Sequence, residues 1–154
     1  MTNGTSDSAY SMQKLTDEAR RLAADYRRAT GKTLPLSPEI AANDAIRLLG
    51  LTASEDDDCD AVYKEQGGSR RIQVKGRVVF EQSKTVPRLG QLKLEKQWDE
   101  TLLVLMDENY ETTEIYRADR AKMESVLANK SPNKRGAMTV NQFKVIGTKV
   151  WPTD

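Results

Sequence analysis

Cys59-Asp60-Ala61-Val62-Tyr63-Lys64, a Gly67-Gly68 pair, then Arg71-Ile72-Gln73-Val74-Lys75-Gly76 is the stretch from which the rest of the chain can be placed. Two β-prone runs around Gly-Gly read as an antiparallel hairpin. With Gly67 and Gly68 as a two-residue loop, Val62 faces Gln73 and Asp60 faces Lys75. Opposed residues share a sheet face, and so do residues two apart on one strand. Asp60, Gln73 and Lys75 therefore converge on one face. Ala61, Tyr63, Ile72 and Val74 form the other, a surface suited to a core. A carboxylate, an amide oxygen and an ammonium on a rigid hairpin suit a hard cation beside a phosphate.

Upstream, the spacing of Leu15, Ala19, Leu22, Ala23 and Tyr26 predicts a helix from Ala9 to Thr30, closed by Gly31. Residues 1–8 are polar and expected to be a disordered tail, with one domain over 9–154. Ser37-Pro38-Glu39 reads as an N-cap, a first-position proline and a first-turn acid, starting a second helix that stops at Gly50. Within it Ile40, Asp44 and Leu48 sit four apart, so Asp44 falls in the stripe expected to face the core. A carboxylate there must be paired or bound to metal, unless the helix rolls and leaves it at the edge. Glu55-Asp56-Asp57-Asp58 is read as a solvated acidic loop, since it lacks EF-hand spacing.

Downstream, Gln82–Gly90 is a basic, turn-rich loop. Thr101–Asp107 is a nearly continuous apolar run, the pattern of a central buried strand, and Thr112–Arg117 alternates like an edge strand. Asn109 marks the turn between them. Residues 118–129 are predicted helical, and a basic turn at Ser131–Gly136 leads into the apolar tail to Trp151. The order implies an α/β (α+β) fold with a mixed central sheet flanked by helices.

Composition narrows the chemistry. The chain has no histidine and a single cysteine in 154 residues, which excludes Ser-His-Asp and Cys-His catalysis and Cys/His zinc sites. Any metal must take oxygen ligands, as magnesium and manganese do. No apolar run is long enough to span a bilayer, and Met1–Asp7 is too polar for a secretory signal, so a cytoplasmic protein with no membrane partner is expected. The net charge is only +1, but it is segregated: Lys64–Lys96 and the region from Lys130 onward are basic, and Asp99–Glu124 is acidic. Such segregation can build a phosphate-binding surface on a nearly neutral protein.

Asp60 on the first hairpin strand, Gln73-Val74-Lys75 on the second and a preceding helix carrying Glu39 and Asp44 together resemble the PD-(D/E)XK, restriction-endonuclease-like nuclease superfamily. The similarity spans roughly Ser37 to Arg117. It is nearest the Mrr-like variant, in which glutamine replaces the second acid, and the tail with Lys134-Arg135-Gly136-Ala137 and Trp151 is similar to small bacterial members. The resemblance implies a Mg2+- or Mn2+-dependent DNA endonuclease. Asp60, the Gln73 side chain and the Val74 carbonyl would bind the cation, Lys75 would position the attacking water, and Glu39 or Asp44 would add a helix carboxylate. Arg77, Lys84, Arg88, Lys93, Lys134 and Arg135 are expected phosphate contacts. The alternatives are a degenerate site that binds nucleic acid without cutting it and a structural, partner-binding subunit. Without any such role, Asp60 and Lys75 would be a surface pair contributing under about 1 kcal/mol. So small a domain would need a homodimer to read sequence.

Overall fold

The computed structural model describes residues 3–81, 87–90, 92–128 and 138–153, with side chains from Ser11 onward. The expected hairpin is formed by β2 (Ala61–Glu65) and β3 (Gly68–Val78), but Glu65 pairs with Gly68, so the loop residues are Gln66 and Gly67. Gly67 takes φ 86°, a conformation glycine enters at little cost. Val62 consequently pairs with Arg71 rather than Gln73, and Asp60, just outside the paired strand, sets its N–H on the Ile72 carbonyl rather than facing Lys75. The displacement is two residues, one full strand period, so the hairpin's side chains keep the faces expected of them.

Strand β4 (Glu100–Met106) runs parallel to β3 and is buried throughout. Its alternation feeds two cores: Leu102, Val104 and Met106 on one face, Leu103 and Leu105 on the other. Each of these large side chains contributes about 1.5–3 kcal/mol by leaving water. Strand β5 (Thr112–Asp119) follows antiparallel. It was expected at the sheet edge, yet β6 (Thr148–Trp151) pairs outside it, and the short β1 (Thr52–Ala53) closes the opposite side. The six strands lie in the order β1-β2-β3-β4-β5-β6, with β3–β4 the parallel pair. Among the described residues, four helices pack against this mixed sheet.

Helix α1 (Asn3–Thr30) begins well before Ala9, so most of the expected tail is helical; once the packed turns exist, each further residue adds a hydrogen bond at low cost. Helix α2 (Ser37–Leu49) ends at Gly50 in the left-handed conformation, as expected. Its start differs: Leu36 occupies the cap position and no side chain caps the helix, while the Ile40 N–H donates to the Leu36 carbonyl at 3.1 Å. Helices α1 and α2 cover the Leu102–Val104–Met106 face. Helices α3 (Arg120–Ala128) and α4 (Val140–Ile146), with Leu89, Leu92 and Trp98, cover the other. No described helix is long and apolar enough to cross a membrane.

The contact that matters most for the site is between α2 and β3. A Cβ placed on Gly76 would lie 2.5 Å from the Ala41 Cβ and 3.1 Å from the Ser37 carbonyl oxygen. The helix thus rests on bare strand backbone, which brings its first turn beside the hairpin. Gly76→Ala is expected to destabilise by about 1–3 kcal/mol through overpacking, read as a lower urea midpoint at unchanged slope. An unchanged midpoint would mean that α2 does not bear on the strand.

Candidate functional site

Strand β3 runs on past the point where β2 begins, and this mismatch opens a cleft. The Asp60 N–H still pairs with the Ile72 carbonyl at 2.8 Å. One step further, the Val74 N–H has no strand partner, and the Asp60 carboxylate takes that place: its Oδ2 accepts the bond at 2.7 Å. An extended residue turns its N–H and C=O to the same strand edge, so the Val74 carbonyl is directed to the cleft side as well. Asp60 therefore has one oxygen fixed to the backbone and its side chain exposed to solvent.

The cleft measures about 400 Å³ and brings together Asp60, Gln73, Val74 and Lys75 from the hairpin with Glu39 from the first turn of α2. Gln73 is only 5% exposed, and the Thr101 hydroxyl donates to its Oε1 at 3.2 Å. Thr101 sits directly across the β3–β4 register from Gln73. It was missed in the sequence because it looked like the first residue of an apolar strand. Lys75 is half-buried. Burial lowers its pKa and the charges of Arg77 and Lys93 lower it further, while Asp60 acts in the opposite direction.

The basic side of the cleft comes from the segment between β3 and β4. Parallel strands usually return through a helix; here the connection ends in an irregular stretch held by two side chains. Trp98 is buried and donates from Nε1 to the Lys93 carbonyl at 2.8 Å. Arg120 lies 4.5 Å over the Trp98 ring and donates to the carbonyls of Leu94, Lys96 and Trp98. This anchorage sets Lys93 and Lys96 on the cleft wall. Lys96 was not among the expected contacts; its Nζ donates to the Asp57 carbonyl at 2.7 Å, tying the acidic loop to the cleft. Asp57 and Asp58 line the cleft too, so the loop read as freely solvated is part of its wall.

Among the expected phosphate contacts, Arg77 and Lys93 line the cleft. The Arg77 Nε donates to the Arg88 carbonyl at 2.6 Å, and burial lowers the Arg77 pKa. Arg88 is exposed and bridges to Thr139, so it lies beside the cleft rather than in its wall. Lys84, Lys134 and Arg135 lie outside the described residues.

Asp44 is a correction. It is five residues beyond Glu39, about 140° round the helix, and the two carboxylates do not share the cleft. Asp44 is 1% exposed and forms a two-pronged bridge to Arg20 of α1, at 2.9 and 3.0 Å, with the Thr112 hydroxyl donating at 2.6 Å. Its place in the apolar stripe is explained by this pair, not by a metal.

Neither a family model nor a curated protein matches this chain. Function must be argued from the cleft. The groups the cleft offers to a cation are all oxygens: the Asp60 and Glu39 carboxylates, the Gln73 amide and the Val74 carbonyl. Among the described residues, no three acidic or cysteine side chains gather closely enough to hold a metal by themselves. Magnesium asks for less, since one or two carboxylates with waters and substrate oxygens suffice. The residues present fit a weakly held hard cation.

Proposed function

We propose that this chain is a divalent-metal-dependent DNA endonuclease of the PD-(D/E)XK type, built on a restriction-endonuclease-like fold. The observation that carries the reading is the meeting of Asp60, Gln73, Lys75 and Glu39 in one cleft with lysines on its wall. Asp60, Gln73, the Val74 carbonyl and Glu39 would hold Mg2+ or Mn2+. When bound, such an ion polarises the scissile phosphodiester and makes its water more acidic.

The remaining work belongs to the chain. The Val74 N–H fixes the Asp60 carboxylate and the Thr101 hydroxyl fixes the Gln73 amide, so these ligands need little reorganisation on binding. Lys75 places the attacking water and offsets the negative charge that grows on the phosphate oxygens. Its lowered pKa lets its Nζ release a proton more readily than a surface lysine. Arg77, Lys93 and Lys96 receive the flanking backbone phosphates. Lys93→Ala is expected to weaken DNA binding similarly for all sequences and to reduce the slope of log affinity against log salt by about one. Fluorescence anisotropy across a salt series measures this, and an unchanged slope would remove Lys93 from the phosphate path.

A second reading, DNA binding without cleavage, is favoured by the neutral Gln73 and because, among the described residues, no three acidic or cysteine side chains gather closely enough to hold a metal by themselves. Plasmid, single-stranded and branched DNA incubated with Mg2+ or Mn2+, with a chelator control, separates the two. Metal-dependent cleavage supports the first reading. Retention of uncut DNA at low salt selects the second, and the absence of both cleavage and retention would leave both readings without support.

A further inference from the structure

Helix α2 stops at Gly50, whose φ of 66° turns the chain towards β1 at the sheet edge. Leu49 and Leu51, on either side of this turn, border a cavity of about 240 Å³ against the sheet. Ile72, Leu102 and Val150, from β3, β4 and β6, continue its apolar wall, with Tyr63, 44% exposed, beside them. Tyr63 and Ile72 belong to the hairpin face opposite Asp60, Gln73 and Lys75. Among the described residues, the cavity and the cleft share no lining residue, so this site is separate from the proposed chemistry.

One buried carboxylate interrupts the apolar wall. Glu100 opens β4 on the same face as Leu102, two residues on, and is only 3% exposed. Burying a carboxylate is costly unless it is paired. The Arg70 Nε donates to its Oε2 at 3.1 Å, and the Arg117 Nε approaches the same oxygen at 4.0 Å. Both guanidinium groups thus fall on Oε2, which leaves Oε1 as the acceptor for a molecule in the cavity. Arg117 lines the cavity with its side chain 49% exposed, and a guanidinium has five N–H donors.

This pairing selects the charge of the ligand. A cation would have to displace a guanidinium from Glu100. An anion would meet Glu100 and also Glu65, which lines the cavity as well. A neutral N–H donor adds a hydrogen bond and leaves the ion pair intact. A carbonyl next to that donor would accept from Arg117. The volume lies below the range of drug-sized sites, which suits one ring or two fused rings, and a flat ring suits the aliphatic wall and Tyr63. We infer that this cavity binds a neutral nitrogen heteroaromatic of nucleobase size, whose adjacent N–H and C=O are taken by Glu100 Oε1 and Arg117.

Theophylline and uracil carry such an edge. Caffeine and 1,3-dimethyluracil are the same rings with the N–H groups methylated. Isothermal titration of the full chain is expected to give a dissociation constant of about 0.1–1 mM for at least one of the first pair. Its methylated counterpart should bind at least about tenfold more weakly, because the Glu100 oxygen then loses its donor. Methyl NMR locates the contact, with shifts expected at Ile72, Leu102 and Val150. Val150→Phe, which fills the cavity from the edge strand, should abolish binding while the remaining spectrum stays native. The comparison of methylated and unmethylated rings needs no variant, so it stands even if that substitution disturbs folding. Absence of binding by both N–H-bearing rings overturns the inference, and so does equal binding of a ring and its methylated form. Shifts confined to residues outside the cavity, or undiminished binding by a natively folded Val150→Phe, would place the ligand elsewhere and overturn it as well.

Discussion

Replacing Asp60 with asparagine is expected to lower metal-dependent DNA cleavage at least about a thousandfold, roughly 4 kcal/mol of transition-state stabilisation. The amide still offers an oxygen to the Val74 N–H, so the start of β2 keeps its anchor and the fold is retained. What is lost is the negative charge, the feature a hard cation needs most. Lys75→Ala should cost about a hundred- to a thousandfold, the range for removing one group that stabilises developing charge. The two variants should differ in binding. Asp60→Asn removes a negative charge from a basic cleft and should hold DNA as tightly or more tightly without added metal, whereas Lys75→Ala should hold it less tightly. Single-turnover nicking of plasmid with parallel anisotropy measurements tests both. Cleavage undiminished in Asp60→Asn would end the nuclease proposal whatever the affinity.

The largest effect on stability is expected at Asp44. Asp44→Ala should destabilise by about 3 kcal/mol, because the buried Arg20 guanidinium loses its two-pronged partner and keeps only the exposed Asp17 and Glu111, at 3.9 and 3.7 Å. Arg20 also donates to the Tyr110 carbonyl, so the strain reaches the turn between β4 and β5 as well as the α1–α2 contact. The pair need not be stabilising in itself: Arg20→Met with Asp44→Leu should be far milder than either single change, and could be neutral. Urea unfolding of the four proteins forms the cycle, and additivity of the single changes would refute the pairing. The same bridge sets a pH dependence. Burial raises the Asp44 pKa, but hydrogen bonds from Arg20 and Thr112 and the charges of Arg20 and Arg47 outweigh it and hold it below the usual carboxylate value. A depressed carboxylate stabilises the folded state above its unfolded pKa of about 4. That contribution should disappear as pH falls through the lower folded value, and Asp44→Ala should flatten the acid limb of the stability profile.

The hairpin was legible because its grouping of side chains depends on a period of two, and a misplacement of the loop by two residues leaves that grouping intact. Strand β4 was legible as an unbroken apolar run. Strand β5 was misplaced at the edge because its outer neighbour, β6, is four residues arriving from the far end of the chain, too short to carry a periodic signal. The start of α4 did carry one: Thr139 and Gln142 form a reciprocal capping box, and that spacing can be read in the sequence. In the cleft, Asp60, Gln73, Lys75 and Glu39 were visible as residue types on predicted elements. Thr101 and Lys96 were not, since each acquires its role from a neighbour remote in sequence. Asp44 was rightly singled out, but its partner Arg20 sits on another helix, and no local pattern points to it.

The strand order also has a consequence for how the molecule assembles. With neighbours in sequence adjacent in space, β2–β3 and β4–β5 can each form through short-range pairing, whereas the parallel β3–β4 seam and the β5–β6 pair require closing long connections, from Val78 to Glu100 and from Asp119 to Thr148. Short loops close at lower entropic cost than long ones. Asp60, Gln73 and Lys75 would therefore be in place on their hairpin before the β3–β4 connection docks, and Lys93 and Lys96 would reach the cleft only when it does.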